Sequence, residues 1–193
     1  MALPTTVAGM SAFLLFAHVW SMPTPCHIQG TLLESAKDLL RDMGGHFPSE
    51  CLQDKVNITF PAPALATSST PTVSGNADLI VGAKAIYEIL KNIDSLFGAE
   101  DLPTKWDQQK LDNFQNIIYT QIDHSKCVSG YMESVETSDY PVRAAALKTY
   151  FGNIEAALKE KKFSYCAWEV VRKQVLETLI FILKKNSNCL LMS

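Results

Sequence analysis

The sequence predicts an all-α fold, a single bundle of five helices (A to E) with a loop of roughly thirty residues between the first two. Three observations carry this. Apolar residues recur at threes and fours through five separate stretches. Almost no stretch alternates as a half-buried strand would. Residues 44–75 interrupt the pattern with Pro48, Pro61, Pro63 and Pro71 set among Ser, Thr and Gly.

Helix A covers about 28–43 and repeats Ile28, Leu32, Ala36, Leu39 and Met43; Gly44-Gly45 ends it, because glycine accepts the left-handed conformation that helix ends favour. The long loop then lets helix B start back at the end where A began. Helix B runs over 77–97 with Leu79, Ala83, Ile86, Leu90, Ile93 and Phe97 at bundle spacing. Asn76 caps it in this reading, Asp78 meets its positive end, and Gly98 stops it. Helix C starts at the capping-box-like Thr104-Lys105-Trp106-Asp107 and presents Leu111, Phe114, Ile118 and Ile122. Helix D starts near Pro141, a favoured first-turn residue, and presents Leu147, Phe151, Ile154 and Leu158. Helix E starts near Cys166 and presents Val171, Val175, Thr178 and Ile182.

The compartment is read from the N-terminus. Val7–Trp20 is apolar but short for a bilayer span, and Ser21-Met22-Pro23-Thr24-Pro25 follows it. Although no Lys or Arg precedes it, this reads as a secretory signal cut near Ser21. Residues 1–21 are then the signal and 22–193 one helical domain, secreted to the extracellular space. A buried N-terminal core helix is the other reading, and Pro23 and Pro25 oppose it. No other stretch is long and apolar enough to insert in a membrane. The net charge of −3 weighs against nucleic acid as the main partner.

Five cysteines, Cys26, Cys51, Cys127, Cys166 and Cys189, contain no CxxC pair, so zinc and dithiol redox motifs are absent. An exported chain is expected to form two disulfides and leave one thiol over. Four cysteines allow three pairings. Asn57-Ile58-Thr59 is a glycosylation sequon, meaningful in an exported protein. His27, His46 and His124 fall in no HExxH spacing, and neither GxSxG nor a Gly-rich phosphate loop occurs. No catalytic residue, metal or cofactor is therefore expected, though a hydrolytic site built from distant residues stays open as a remote alternative. A lipid carrier or membrane-acting bundle is opposed by regular apolar stripes that describe a filled core.

The segment from Lys159 to Arg172, above all Cys166-Ala167-Trp168-Glu169, resembles the signature of the type I interferons. Phe47-Pro48-Ser49-Glu50-Cys51-Leu52-Gln53-Asp54 with Phe60-Pro61 resembles a second family segment. Tyr87, Leu96-Phe97, Trp106-Asp107 and Cys127 extend the likeness, which covers roughly 26–185. The resemblance implies a helical cytokine bundle with Cys26–Cys127 and Cys51–Cys166 bridges. With these, A and C run antiparallel, E opposes A, and the A–B loop is a crossover. Cys189 stands outside the pattern, as a thiol in a frayed tail or an intermolecular partner.

The resemblance further implies a monomer that bridges the two chains of the type I interferon receptor, triggering JAK–STAT signalling and an antiviral state. The tighter chain would meet Leu52 and Lys55 in the loop and Arg172, Lys173 and Leu176 on helix E; Leu176 reads equally well as core. Arg172, Leu176 and Ile180 lie four apart on one face. The second chain would meet Glu88 and Lys91 on B, Tyr119 on C and Lys148 on D. Glu177 departs from the family, many of whose members carry a basic residue there, and a sugar on Asn57 would sit in the receptor-facing loop. Another helical cytokine or hormone with a different receptor is the alternative, and the Cys166–Glu169 signature is the discriminator against it.

Overall fold

The computed structural model describes residues 28–54, 56, 58–66, 75–128, 140–185 and 190–191. The expected signal, Cys26, Lys55, Asn57 and Cys189 lie outside them. Five long helices realise A to E in order: α1 (Gly30–Gly44), α2 (Gly75–Phe97), α3 (Gln108–Ser125), α4 (Tyr140–Glu160) and α5 (Tyr165–Lys185). Two short 3-10 helices, Ser49–Asp54 and Ala62–Leu65, lie in the crossover. The strands β1 (Ile28–Gln29) and β2 (Leu190–Leu191) pair in parallel, Ile28 opposite Leu190, so the end of the chain returns beside the start of α1.

Helix directions follow from contacts at the ends. The Gln121 side chain donates to Gln29 O and accepts from Gln29 N, placing the end of α3 at the start of α1. At the other end Asp107 N–H donates to Met43 O. These two helices are antiparallel, packed along their length. The Cys51–Cys166 disulfide fixes the start of α5 beyond the end of α1. The tight turn at Lys161–Ser164 reverses α4 into α5, while Gln115 Nε2 donates to Phe97 O where α2 meets α3. The crossover is packed against the bundle: Ala64 and Leu65 are buried, and Phe60 meets Tyr150 and Phe181.

The stripes predicted for helices D and E form the core: Leu147, Phe151, Ile154 and Leu158 on α4, and Val171, Val175, Thr178 and Ile182 on α5, are all buried. Phe97, Phe114, Trp106 and Trp168 join them in one aromatic cluster, with Phe97 centroids 4.9 Å from Phe114 and 6.2 Å from Trp168. Helix A is turned from the expected face. Leu33 and Leu40 are buried, whereas Leu32 and Leu39 are only partly so. Two helix starts also differ. Gly75 begins α2, which puts Asn76 inside the helix. Asp107 is the cap of α3, its carboxylate accepting from Lys110 N–H at 3.1 Å, which leaves Thr104 in the preceding turn. Trp106 explains the shift: its ring is committed to the core before the helix begins.

Candidate functional site

Two exposed regions collect the residues expected to make contacts. The first is formed by the segment after α1 and the start of α5. Arg172 of α5 donates to Leu40 O and Arg41 O through Nη1 and to Gly45 O through Nη2. Six residues further on, Cys51 is bonded to Cys166. Between these anchors Lys173 Nζ sits 5.7 Å from the centroid of the Phe47 ring and 3.7 Å from Glu177 Oε1. Leu52 follows the disulfide and is 50% exposed. Behind it Lys161 pairs with Asp54 at 2.6 Å, tying the 3-10 helix to the α4–α5 turn.

Arg172 corrects an expectation. It is 3% exposed, so it does not present a contact surface; its guanidinium belongs to an internal network with Glu169, which is wholly buried. The physical reason is the end of α1, whose last carbonyls have no intrahelical donors and take the guanidinium instead. Leu176 is partly buried and packs on the core, leaving it at most a rim position. Leu52 and Lys173 remain on the surface, joined by Phe47 and Glu177. In the sequence Phe47 is visible only as part of a motif; its half-buried place beside a lysine depends on the loop's path.

The second region runs over α2, α3 and α4. Glu88 and Lys148 line one groove between α2 and α4 with Lys84, Asn92 and Tyr140. Lys91 pairs with Glu88 at 3.6 Å and lies 5.5 Å from the Tyr87 ring centroid. Tyr119 on α3 is 62% exposed. Lys126, near the end of α3, is held by Asp123 at 2.6 Å. Lys84 covers the Tyr140 ring at 4.4 Å; burial, and then the Glu88 carboxylate, push the Tyr140 hydroxyl up to about 12. The structure thus brings Glu88, Lys91 and Lys148 together and sets Tyr119 on the neighbouring helix.

Cys127 is disulfide-bonded, to a partner outside the described residues. Among the described residues no cluster of His, Cys, Asp or Glu is arranged to hold a metal ion, and no helix is long and apolar enough to cross a membrane.

A five-helix bundle with a long crossover pinned to the last helix by a disulfide, and with its aromatic side chains packed into one core, is a helical cytokine. The interferon alpha/beta domain model matches residues 27–188, and the chain belongs to that family. It is 33% identical to interferon beta of Macaca fascicularis over 138 residues, 69% of each chain. It is 31% identical to human interferon omega-1 over 154 residues, 78% of this chain and 74% of the relative. Among solved structures, zebrafish interferon 2 superimposes with a TM-score of 0.74 at 40% identity, over 82% of this chain and 99% of that one. Zebrafish interferon 1 gives 0.61 at 25% identity, covering 82% and 94%. Members of the family are cytokines that act on cell-surface interferon receptors, not enzymes.

Proposed function

We propose that the chain is a secreted type I interferon that holds two receptor chains together, so that their associated tyrosine kinases phosphorylate STAT proteins and establish an antiviral state. The observation that carries this reading is Leu52, a half-exposed leucine on a loop that a disulfide and a buried arginine fasten to α5. An apolar anchor on a rigid support is the usual content of an interface hot spot. The tighter receptor chain takes this face, through Leu52, Lys55 and Lys173 with Leu176 at its edge. The second chain takes Glu88, Lys91, Tyr119 and Lys148.

The rest of the reading follows the resemblance. Residues 1–21 are a signal, and 22–193 act as a monomer carrying a sugar on Asn57. Cys26 pairs with Cys127. The Gln29–Gln121 bonds support that pairing, since they bring the approach to α1 against the last turns of α3. The test adds purified residues 22–193, disulfides intact, to cells of the species of origin and reads tyrosine-phosphorylated STAT within the hour. A strong signal is expected, weakened by Leu52→Ala; folded protein that gives none refutes the reading.

A further inference from the structure

The guanidinium of Arg172 has five N–H donors, and all five are used. Nε donates to Glu169, Nη1 to Leu40 O and Arg41 O, and Nη2 to Gly45 O and to Glu169 Oε2 at 2.6 Å. The carboxylate it faces is fixed in turn by the Trp106 Nε1–H, at 2.5 Å. The group is thus over-determined, held from α5 itself and from the residue before the α3 cap. Its outward contact is with the last turn of α1 and with Gly45, where the backbone turns left-handed at φ 65° to enter the crossover.

From Gly45 the chain reaches Phe47 in two residues and Leu52 in seven. Its next covalent anchor is Cys51, bonded to Cys166. No described side chain other than Arg172 bonds the backbone between Gly44 and Pro48. The neighbouring Lys173 projects outward over Phe47. A further observation shows how closely the guanidinium is seated: a Cβ built on Gly44 would stand 2.6 Å from Arg172 Nε and 2.7 Å from Cζ. Any side chain at position 44 displaces the guanidinium from the carbonyls.

We infer that Arg172 is a positioning residue for receptor binding: it presets the path of Gly45–Leu52, and with it the placement of Leu52 and of Phe47 against Lys173, without touching the receptor. The inference rests on the receptor reading above and adds how that face is built. A preset loop avoids an ordering cost on binding, so loosening it weakens the complex while every contacting side chain stays in place. Arg172→Ala is a poor probe, because it strands a buried carboxylate. Arg172→Lys keeps the charge opposite Glu169 but offers three donors on a flexible stem, too few for the carboxylate and three carbonyls. Gly44→Ala displaces the guanidinium from the opposite side and alters neither Arg172 nor any exposed contact.

The experiment measures amide hydrogen exchange and STAT phosphorylation on responsive cells for wild type, Arg172→Lys and Gly44→Ala, each also combined with Leu52→Ala. Both variants are expected to speed exchange in Gly45–Leu52 while α2 and α4 keep their protection. Both are expected to lose about tenfold in potency, the scale of one charge-assisted hydrogen bond. The Leu52→Ala loss is expected to shrink in either background, because a displaced loop no longer delivers Leu52 to its pocket. Unchanged loop exchange overturns the inference. So does exchange raised uniformly through all helices, or a Leu52 effect fully additive with Arg172→Lys. A wild type that folds but does not signal removes the receptor reading, and the exchange arm still decides whether Arg172 sets the loop.

Discussion

Two buried tryptophans are expected to respond unequally to the same substitution. Trp106 and Trp168 are 2% and 0% exposed and lie 6.2 Å apart by ring centroid. Changing either to Phe removes the same atoms from one cluster, so the cavity costs are alike. The polar contributions differ in sign. Trp106 Nε1–H donates to the buried Glu169 carboxylate, and a bond to a charged group contributes about 1.5–3 kcal/mol. Trp168 Nε1–H is buried with no acceptor among the described residues, and an unsatisfied buried donor costs about 1–3 kcal/mol, which Phe removes. Taking values near the lower end of each contribution, Trp106→Phe should therefore be the less stable variant by about 3 kcal/mol. In a chain of this length that separates the melting midpoints by about 6–12 °C. Far-ultraviolet circular dichroism during thermal and urea unfolding measures it without using either indole as the probe. Equal midpoints, or Trp168→Phe falling below Trp106→Phe, would refute the assignment of partners in this cluster.

Three further outcomes are expected. Lys162 and Phe163 both have positive φ, 52° and 54°, in the α4–α5 turn; Lys162→Gly should raise stability by about 0.5–1 kcal/mol, seen as a higher urea midpoint at unchanged m. Replacing Cys51 and Cys166 together by Ser opens a loop of sequence separation 115, and the chain-entropy model puts the loss at about 4–5 kcal/mol, so an unchanged melting temperature would contradict the bridge's role. The Tyr140 hydroxyl, raised to about 12 from 10.0, is protonated more strongly in the folded state. Its stabilising contribution is full below the unfolded value and is lost as pH rises towards the folded one. In an absorbance titration, the difference between wild type and Tyr140→Phe should develop near the upper value; a midpoint at an ordinary tyrosine value would contradict the burial.

Much of this architecture is written in periodicity. Helices α4 and α5 bury every residue of the three-four stripe that spacing selects, together with neighbours such as Tyr150 and Leu179 that the stripe leaves out. Helix α1 was less legible. Leu32, Leu33, Leu39 and Leu40 satisfy two registers equally well, and only packing against α3 and α5 selects Leu33 and Leu40. The start of α3 was misplaced because Thr104 and Asp107 are both good caps, and the decision rests on where Trp106 is drawn. Arg172 misled for a related reason. Glu169 and Arg172, three apart on a helix, have the spacing of a surface ion pair. What buries them is the end of another helix, more than a hundred residues away in sequence, whose unpaired carbonyls no local pattern announces. Gln121 is similar: a polar residue one position from Ile122 takes the inward place because the edge of Gln29 needs both a donor and an acceptor.

The central claim is that two faces engage two different receptor chains, and competition tests it most directly. A Tyr119→Ala/Lys148→Ala variant should keep the tighter face, signal poorly, and shift the wild-type dose–response for STAT phosphorylation to higher concentration when added in excess. A Leu52→Ala/Lys173→Ala variant, equally folded, should signal poorly and shift it far less. If neither variant weakens signalling, or if both compete equally, the two-face account is wrong.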